Sequence, residues 1–143
     1  MTKAIWFDMD GTIANLYGQS NWLADLRAYN PAPYRNARPL VNMNVLARLL
    51  NRLQREGYTI GIVSWLSKTS TAEYDHAVTK AKQAWLKQHL RSVQWDVIDI
   101  IPYGTPKEDG RDGILFDDEE RNRSNWRGVA HDVQNILEIL REI

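Results

Sequence analysis

The chain of 143 residues contains no cysteine. Disulfide bonds, thiol nucleophiles and zinc sites built from thiolates are therefore excluded. Because cysteine-free chains need no oxidising compartment, we expect a cytoplasmic protein.

An excess of charge of one sign is also missing, because 18 Lys and Arg residues balance 18 Asp and Glu residues. A net charge of zero provides no overall field that would attract nucleic acid or a membrane, although a local patch for nucleic acid stays open. No apolar run approaches the ~20 residues of a membrane span, and nothing at the start resembles a signal segment. The length predicts one domain over residues 1–143.

The most informative segment is the apolar run Ala4–Phe7, which two carboxylates, Asp8 and Asp10, follow directly. Four consecutive apolar residues are typical of a strand that is buried on both faces of a parallel sheet. Ligands bind at the carboxyl edge of such sheets, so both acids are candidate site residues. Gly11 permits a tight turn and the close approach of a ligand, and Thr12 completes the motif.

Strands and helices alternate along the rest of the chain, which predicts an α/β fold with a mainly parallel sheet. We expect strands over 58–63, 95–101, 114–116 and 128–131, and helices over 44–56, 71–90 and 133–141. Gly57 is expected to end the first of these helices and Asp132 to cap the last.

Residues 19–40 differ in composition and predict a small insertion over the site. Trp22, Leu23, Leu26 and Tyr29 are spaced for one short amphipathic helix, which the prolines at 31 and 33 end. The segment is either a lid that contacts substrate or a surface excursion with aromatic residues beneath it.

A second carboxylate pair, Asp117 and Asp118, follows the apolar run 114–116. Carboxylates that converge at one sheet edge repel one another unless they are protonated or bind a cation. Oxygen ligands without His or Cys favour a hard cation, and Mg²⁺ is the usual one beside a phosphate. An acidic surface run that continues through 119 and 120 is the competing interpretation of this pair.

Two further polar residues follow predicted strands: Ser64 after 58–63, and Lys107 in the loop after 95–101. A hydroxyl and a cation suit the binding of a phosphoryl group, although neither residue is informative alone. A calcium loop at Asp8 is excluded, since the later oxygen ligands are missing and no helix precedes it. His76 and His89 lie on the helix 71–90 without a second ligand at helical spacing, so we expect each to be exposed or packed at an edge rather than to bind a metal.

In this order, the residues resemble the four motifs of the haloacid dehalogenase superfamily of phosphohydrolases. The resemblance implies a three-layer Rossmann-like core with a very small cap insertion. It also implies that Asp8 is a nucleophile, that Asp10 is the general acid and base, and that Thr12 orients Asp10. Ser64 and Lys107 would hold the phosphoryl oxygens. Mg²⁺ would lie between Asp8, the backbone carbonyl of Asp10 and either Asp117 or Asp118.

The small insertion, the Asp-Asp form of the fourth motif and the ending 129–132 before a helix are similar to the 5'(3')-deoxyribonucleotidase group. This resemblance implies a Mg²⁺-dependent phosphatase of nucleotide monophosphates. Phosphate ends of nucleic acid, another small phosphorylated metabolite, or a non-catalytic module that binds metal and phosphate are the alternatives. Four aromatic residues could stack on a base, but aromatic residues in a small domain more often belong to the core: Trp22, Tyr29, Tyr34 and Trp65.

Overall fold

The computed structural model describes residues 3–143, so residues 1 and 2 of the predicted domain lie outside the described residues. The strands are β1 (Ala4–Phe7), β2 (Ala14–Asn15), β3 (Arg38–Pro39), β4 (Thr59–Trp65), β5 (Val97–Ile101), β6 (Ile114–Phe116) and β7 (Val129–His131). The helices are α1 (Trp22–Arg27), α2 (Ala32–Asn36), α3 (Met43–Arg55), α4 (Ala72–His89), α5 (Glu120–Asn125) and α6 (Ile136–Glu142).

Five strands form one parallel sheet in the order β5-β4-β1-β6-β7. In the central strand β1, Phe7 is level with Ile62 of β4 and with Phe116 of β6. Because all five strands run in one direction, their carboxyl ends share an edge. The Rossmann-like parallel α/β fold predicted from the sequence is confirmed.

Both faces of β1 are buried, as its continuous apolar run requires. Ile5 and Phe7 lie on one face, where they pack in a core with leucines of α3 and with Trp85 of α4. Trp6 lies on the opposite face and packs in a smaller cluster with Trp126. The sheet is therefore covered on both sides, and its carboxyl edge is left for polar residues.

Helices α3 and α4 lie where the apolar spacing predicts them, and a side chain caps the start of each. Asn42 accepts a hydrogen bond from the backbone N–H of Val45, and Thr71 accepts one from that of Tyr74. Gly57 follows α3 with a φ of 99°, a conformation that glycine adopts without strain. None of the described helices is long and apolar enough to cross a membrane.

Strand β5 begins at Val97, two residues later than the range 95–101 predicted. The carboxylate of Asp96 accepts a hydrogen bond from the backbone N–H of Ile60 at 2.8 Å. That N–H is therefore not free to pair with the backbone of a longer β5. Trp95 instead turns inward, with its ring edge-on to Phe7. The apolar pattern alone did not mark this boundary.

The closing helix also begins later than predicted, and the expected cap at Asp132 is wrong. Helix α6 starts at Ile136 rather than at residue 133. The Asp132 carboxylate accepts the N–H of Val133 at 2.8 Å and lies 3.6 Å from the guanidinium of Arg123. It therefore closes a local turn instead of capping the helix.

The segment 19–40 contains two short helices, α1 and α2, whereas the sequence predicted one. Pro33 lies in the first turn of α2, where a missing N–H costs no helical hydrogen bond. The two-stranded ribbon of β2 and β3 flanks the helices. Tyr34 of α2 packs in one cluster with Tyr74 of α4, whose hydroxyl donates to the carbonyl of Asn30.

Candidate functional site

The loop after β1 brings Asp8 to the carboxyl edge of the sheet and turns back sharply. The N–H of Asp8 still donates to the carbonyl of Phe116 at 3.0 Å, so the residue continues the ladder with β6. Gly11 has a φ of 80°, and a Cβ at this position would collide with the carboxylate of Asp118. Glycine here therefore permits both the turn and the close approach of the second acidic pair.

Lys107 is the cation that lies between the two acidic strand ends. Its Nζ donates to Asp8 Oδ1 at 3.0 Å and to Asp117 Oδ2 at 2.7 Å, and its side chain is 2% exposed. Burial by itself lowers the pKa of Lys107, but the charges of Asp8 and Asp117 raise it overall. The lysine is thus held as a buried ammonium.

The two acids of the second pair have different surroundings. Asp117 is fully buried and accepts from Lys107, from the side chain of Asn122 at 3.1 Å and from the backbone N–H of Glu119 at 2.9 Å. Asp118 instead lines a cavity, and its Oδ1 lies 3.2 Å from the Thr12 hydroxyl. Three donors therefore surround Asp117, while Asp118 faces open space.

Crowding of negative charge disfavours ionisation of the second pair. Burial, followed by the nearby charge of Asp8, raises the pKa of Asp117 to about 6. Burial, a hydrogen bond with Asp8 and the charge of Asp8 raise the pKa of Asp118 to about 8. One lysine does not neutralise three carboxylates, so a further cation or a proton is needed.

A metal ion fits this shortage of positive charge. One carboxylate oxygen from each of Asp8, Asp117 and Asp118 lies within 4.8 Å of the others, and the group is largely buried. The donors are all oxygen, which suits a hard cation. The carboxylate of Asp10 is outside this group. His89 packs against Trp85 at a ring distance of 4.5 Å, away from the acids.

The carboxylate of Asp10 has a partner that sequence reasoning missed, Lys82 of α4. Lys82 Nζ donates to Asp10 Oδ2 at 2.9 Å, to Ser64 Oγ at 2.7 Å and to the carbonyl of Trp65 at 2.7 Å. Burial raises the pKa of Asp10, although the charge of Lys82 lowers it in part. The available signal was a single lysine on an apolar helical face, four residues after Val78.

The resemblance implied that Thr12 orients Asp10, but among residues 3–143 no hydrogen bond joins the Thr12 hydroxyl to Asp10. The hydroxyl lies 3.1 Å from Asp8 Oδ2 and 3.2 Å from Asp118 Oδ1, and the N–H of Asp118 donates to its oxygen at 3.3 Å. A hydroxyl carries one proton, so it donates to one of the two carboxylates at a time. The Thr12 hydroxyl therefore links the loop after β1 to the loop after β6, and the hydrogen-bond partner of the Asp10 carboxylate is Lys82.

Ser64 lies inside β4 rather than after it, because the strand extends to Trp65. Its side chain is fully buried, and its hydroxyl oxygen accepts from Lys82. The structure therefore places all the predicted residues at one edge of the sheet, in two adjoining groups. One group consists of Asp8, Thr12, Lys107, Asp117 and Asp118, and the other of Asp10 and Ser64 with Lys82.

A cavity of about 290 Å³ opens beside these groups, and its wall is partly aromatic. Asp8, Asp10 and Asp118 line its polar end, together with Lys107. The rest of its wall includes apolar and aromatic side chains from the insertion and the residues just before it, from β4 and from the loop after β5, among them Leu16, Trp22, Leu26, Tyr34, Trp65 and Tyr103. Tyr29 is not part of this wall and packs against Tyr74. The cavity thus combines an acidic end with a mainly apolar chamber.

No protein-family model matches the chain, and no curated protein sequence matches it. A function therefore has to be argued from the chemistry of the site, since the parallel α/β fold by itself hosts many activities.

Proposed function

We propose that the protein is a Mg²⁺-dependent phosphomonoesterase of the haloacid dehalogenase type that reacts through an aspartyl-phosphate on Asp8. One observation carries the proposal: Asp8, Asp117 and Asp118 meet at the sheet edge beside a cavity, and the buried ammonium of Lys107 joins Asp8 to Asp117. Phosphoryl transfer requires a nucleophile, fixed positive charge and little else from the protein.

In the first half of the reaction, a carboxylate oxygen of Asp8 forms a bond to phosphorus as the bond from phosphorus to the leaving oxygen breaks. Asp10 gives its proton to that leaving oxygen, which departs as an alcohol. Lys107 touches Asp8 and can extend its remaining N–H to a phosphoryl oxygen.

In the second half, Asp10 takes a proton from water as the water oxygen attacks phosphorus. The bond between phosphorus and Asp8 then breaks, which releases phosphate and restores both carboxyl groups to their starting states. Asp10 lines the cavity within two residues of Asp8, so both steps can use one side of the bound phosphoryl group.

Mg²⁺, when bound, supplies positive charge for the phosphoryl oxygens as negative charge builds up on them. Asp8 and Asp118 would hold it, because both line the cavity and each of their carboxylates accepts fewer hydrogen bonds than that of Asp117. Asp117 already accepts three hydrogen bonds, including one from Lys107, so its role is to fix that lysine. This assignment separates the two members of the pair.

The cavity supports a small substrate with a flat or apolar part, and we propose a nucleoside monophosphate. Its volume of about 290 Å³ is close to the lower limit of ~300 Å³ for ligand sites. Trp22, Tyr34 and Trp65 form parts of the wall on which a base can pack.

The test is phosphate release from p-nitrophenyl phosphate and from nucleoside monophosphates, with Mg²⁺ or with a chelator. We expect turnover that needs Mg²⁺ and is lost in Asp8→Asn. The control is Asp109→Asn, which changes an exposed carboxylate outside the cluster and should turn over like the unmodified chain. Equal activity of Asp8→Asn contradicts the nucleophile, and faster release from phosphorylated oligonucleotides contradicts the substrate.

A further inference from the structure

The ammonium of Lys82 is buried within the protein, where a lysine is unusual. Its side chain is 1% exposed, although it belongs to a helix face that otherwise packs apolar residues such as Val78 and Trp85. A charge is buried at a cost in free energy unless partners surround it. Such a residue in the core calls for a reason other than packing, because a methionine would fill the same space.

The partners of Lys82 use the full donor capacity of an ammonium group. It has three N–H donors, and it meets three acceptors: Asp10 Oδ2, Ser64 Oγ and the carbonyl of Trp65. The ring of Tyr34, from the insertion, covers the group at 5.1 Å. The four contacts come from three segments of the chain, namely the loop after β1, strand β4 and helix α2, and they fix the position of the nitrogen.

One of these contacts determines how a neighbouring carboxylate faces the cavity. Because Lys82 donates to Asp10 Oδ2, that carboxylate is held in one orientation, with Oδ1 left for another partner. Lys82 also donates to Ser64 Oγ, but the Ser64 side chain is fully buried and is not part of the cavity wall, so this contact holds the Lys82 ammonium in place. Lys82 itself is not part of the cavity wall.

We propose that Lys82 is a positioning residue that aligns Asp10 with the leaving oxygen of a bound phosphoryl group. The inference depends on the proposed function, since it concerns the proton donor of that reaction. Without Lys82, Asp10 loses its fixed orientation and delivers its proton poorly to a leaving oxygen. The same loss impairs the activation of water in the second half of the reaction.

The first experiment compares Lys82→Met with Lys87→Met, which changes an exposed lysine on the same helix. Loss of general acid and base catalysis costs about 10²–10⁴-fold in rate, and we expect a fall of this size in kcat of Lys82→Met with an alkyl phosphate. p-Nitrophenolate leaves without a proton, so its first turnover stays fast and gives a burst before slow release. Lys87→Met should match the unmodified chain with both substrates.

A merely structural role for Lys82 predicts a different result. Partial unfolding of Lys82→Met lowers kcat by the same factor with both substrates and produces no burst. That outcome contradicts the inference, as does a kcat equal to that of Lys87→Met. If the unmodified chain has no Mg²⁺-dependent turnover, the proposed function fails, and this inference, which depends on it, fails as well. If the unmodified chain is active and Lys82→Met turns over equally fast, the inference is overturned but the proposed function stands.

A chemical rescue keeps the test decisive if the methionine variant folds poorly. Because the chain contains no cysteine, Lys82→Cys can be alkylated at one site in denaturant and then refolded. 2-Bromoethylamine restores an amine of nearly the length of lysine, whereas iodoacetamide adds a neutral group of similar size. The unmodified chain taken through the same cycle sets the reference.

We expect the amine to restore kcat with the alkyl phosphate and to abolish the burst, while the neutral adduct does neither. Equal activity of the two adducts would overturn the inference, because it would show that no ammonium is needed at this position. Failure of the amine to restore kcat above that of the neutral adduct would also overturn it.

Discussion

Replacing Lys107 by methionine tests whether this lysine neutralises the acids on both sides of it. Its Nζ is 3.0 Å from Asp8 Oδ1 and 2.7 Å from Asp117 Oδ2, and all three side chains are 8% exposed or less. Methionine keeps most of the apolar stem but removes the charge. The variant therefore leaves two buried carboxylates without their shared cation.

Removal of one partner from a buried ion pair costs about 3–5 kcal/mol. Unfolding entropy of about 2.1 cal/mol/K per residue gives about 0.3 kcal/mol/K for 143 residues. The expected fall in Tm without metal is therefore about 10–17 °C. The fall in Tm should be smaller at pH 5 than at pH 8, since at pH 5 the carboxyl groups of Asp8 and Asp117 can take up protons in place of the missing cation.

The assay is thermal and urea unfolding of Lys107→Met in chelator, with Lys87→Met as the control. The control changes an exposed lysine and should stay within about 0.5 kcal/mol of the unmodified chain. Mg²⁺ should restore more stability to Lys107→Met than it adds to the unmodified chain, because it replaces part of the missing positive charge. A free energy of unfolding unchanged at pH 8 would refute the reasoning.

Three further results are expected. The pKa of Asp118 is raised to about 8, so between the ordinary carboxyl range and pH 8 the folded chain holds a proton that the unfolded chain has lost. The stability of the metal-free protein should therefore fall as pH rises through this range. Mg²⁺ should raise Tm more at pH 8.5 than at pH 5.5, because it then does not compete with that proton. A Mg²⁺ effect independent of pH would contradict this. Gly11→Ala should weaken Mg²⁺ binding, measured by calorimetry, because the Cβ of the alanine would collide with the Asp118 carboxylate. Gly110 also has a positive φ, but a Cβ there meets no neighbouring atom, so Gly110→Ala should bind Mg²⁺ like the unmodified chain. Both variants should lose about 1–2 kcal/mol of stability from backbone strain. Trp22→Ala should raise KM for nucleoside monophosphates and leave kcat with p-nitrophenyl phosphate unchanged; an unaltered KM would remove Trp22 from the substrate wall.

The sheet and its acidic edge could be predicted because their signals are local in the sequence. The buried run Ala4–Phe7 and the run Ile114–Phe116 each end in carboxylates, and neighbouring parallel strands bring such ends together. Lys107 could be named only through its place in a motif, since a lone lysine in a loop carries no such signal. Its ion pairs with Asp8 and Asp117 depend on the folded loop.

Other features depend on contacts that no local pattern contains. Lys82 meets Asp10 across 72 residues of sequence, so the contact requires the rotation of α4 and the position of the β1 loop together. The Thr12 hydroxyl finds Asp118, 106 residues away, for the same reason. The start of α6 was misplaced because Asp132 is a good cap by type, while its carboxylate is used by a local turn.

The central claim is that Asp8 carries the phosphoryl group during turnover. The most direct measurement is to quench the working enzyme, reduce it with borohydride and map the product by mass spectrometry. An aspartyl-phosphate at residue 8 is reduced to homoserine, and we predict this change at Asp8 in the presence of substrate and Mg²⁺ and its absence without substrate. Phosphate release with an unmodified Asp8, or with homoserine at another residue, would contradict the account.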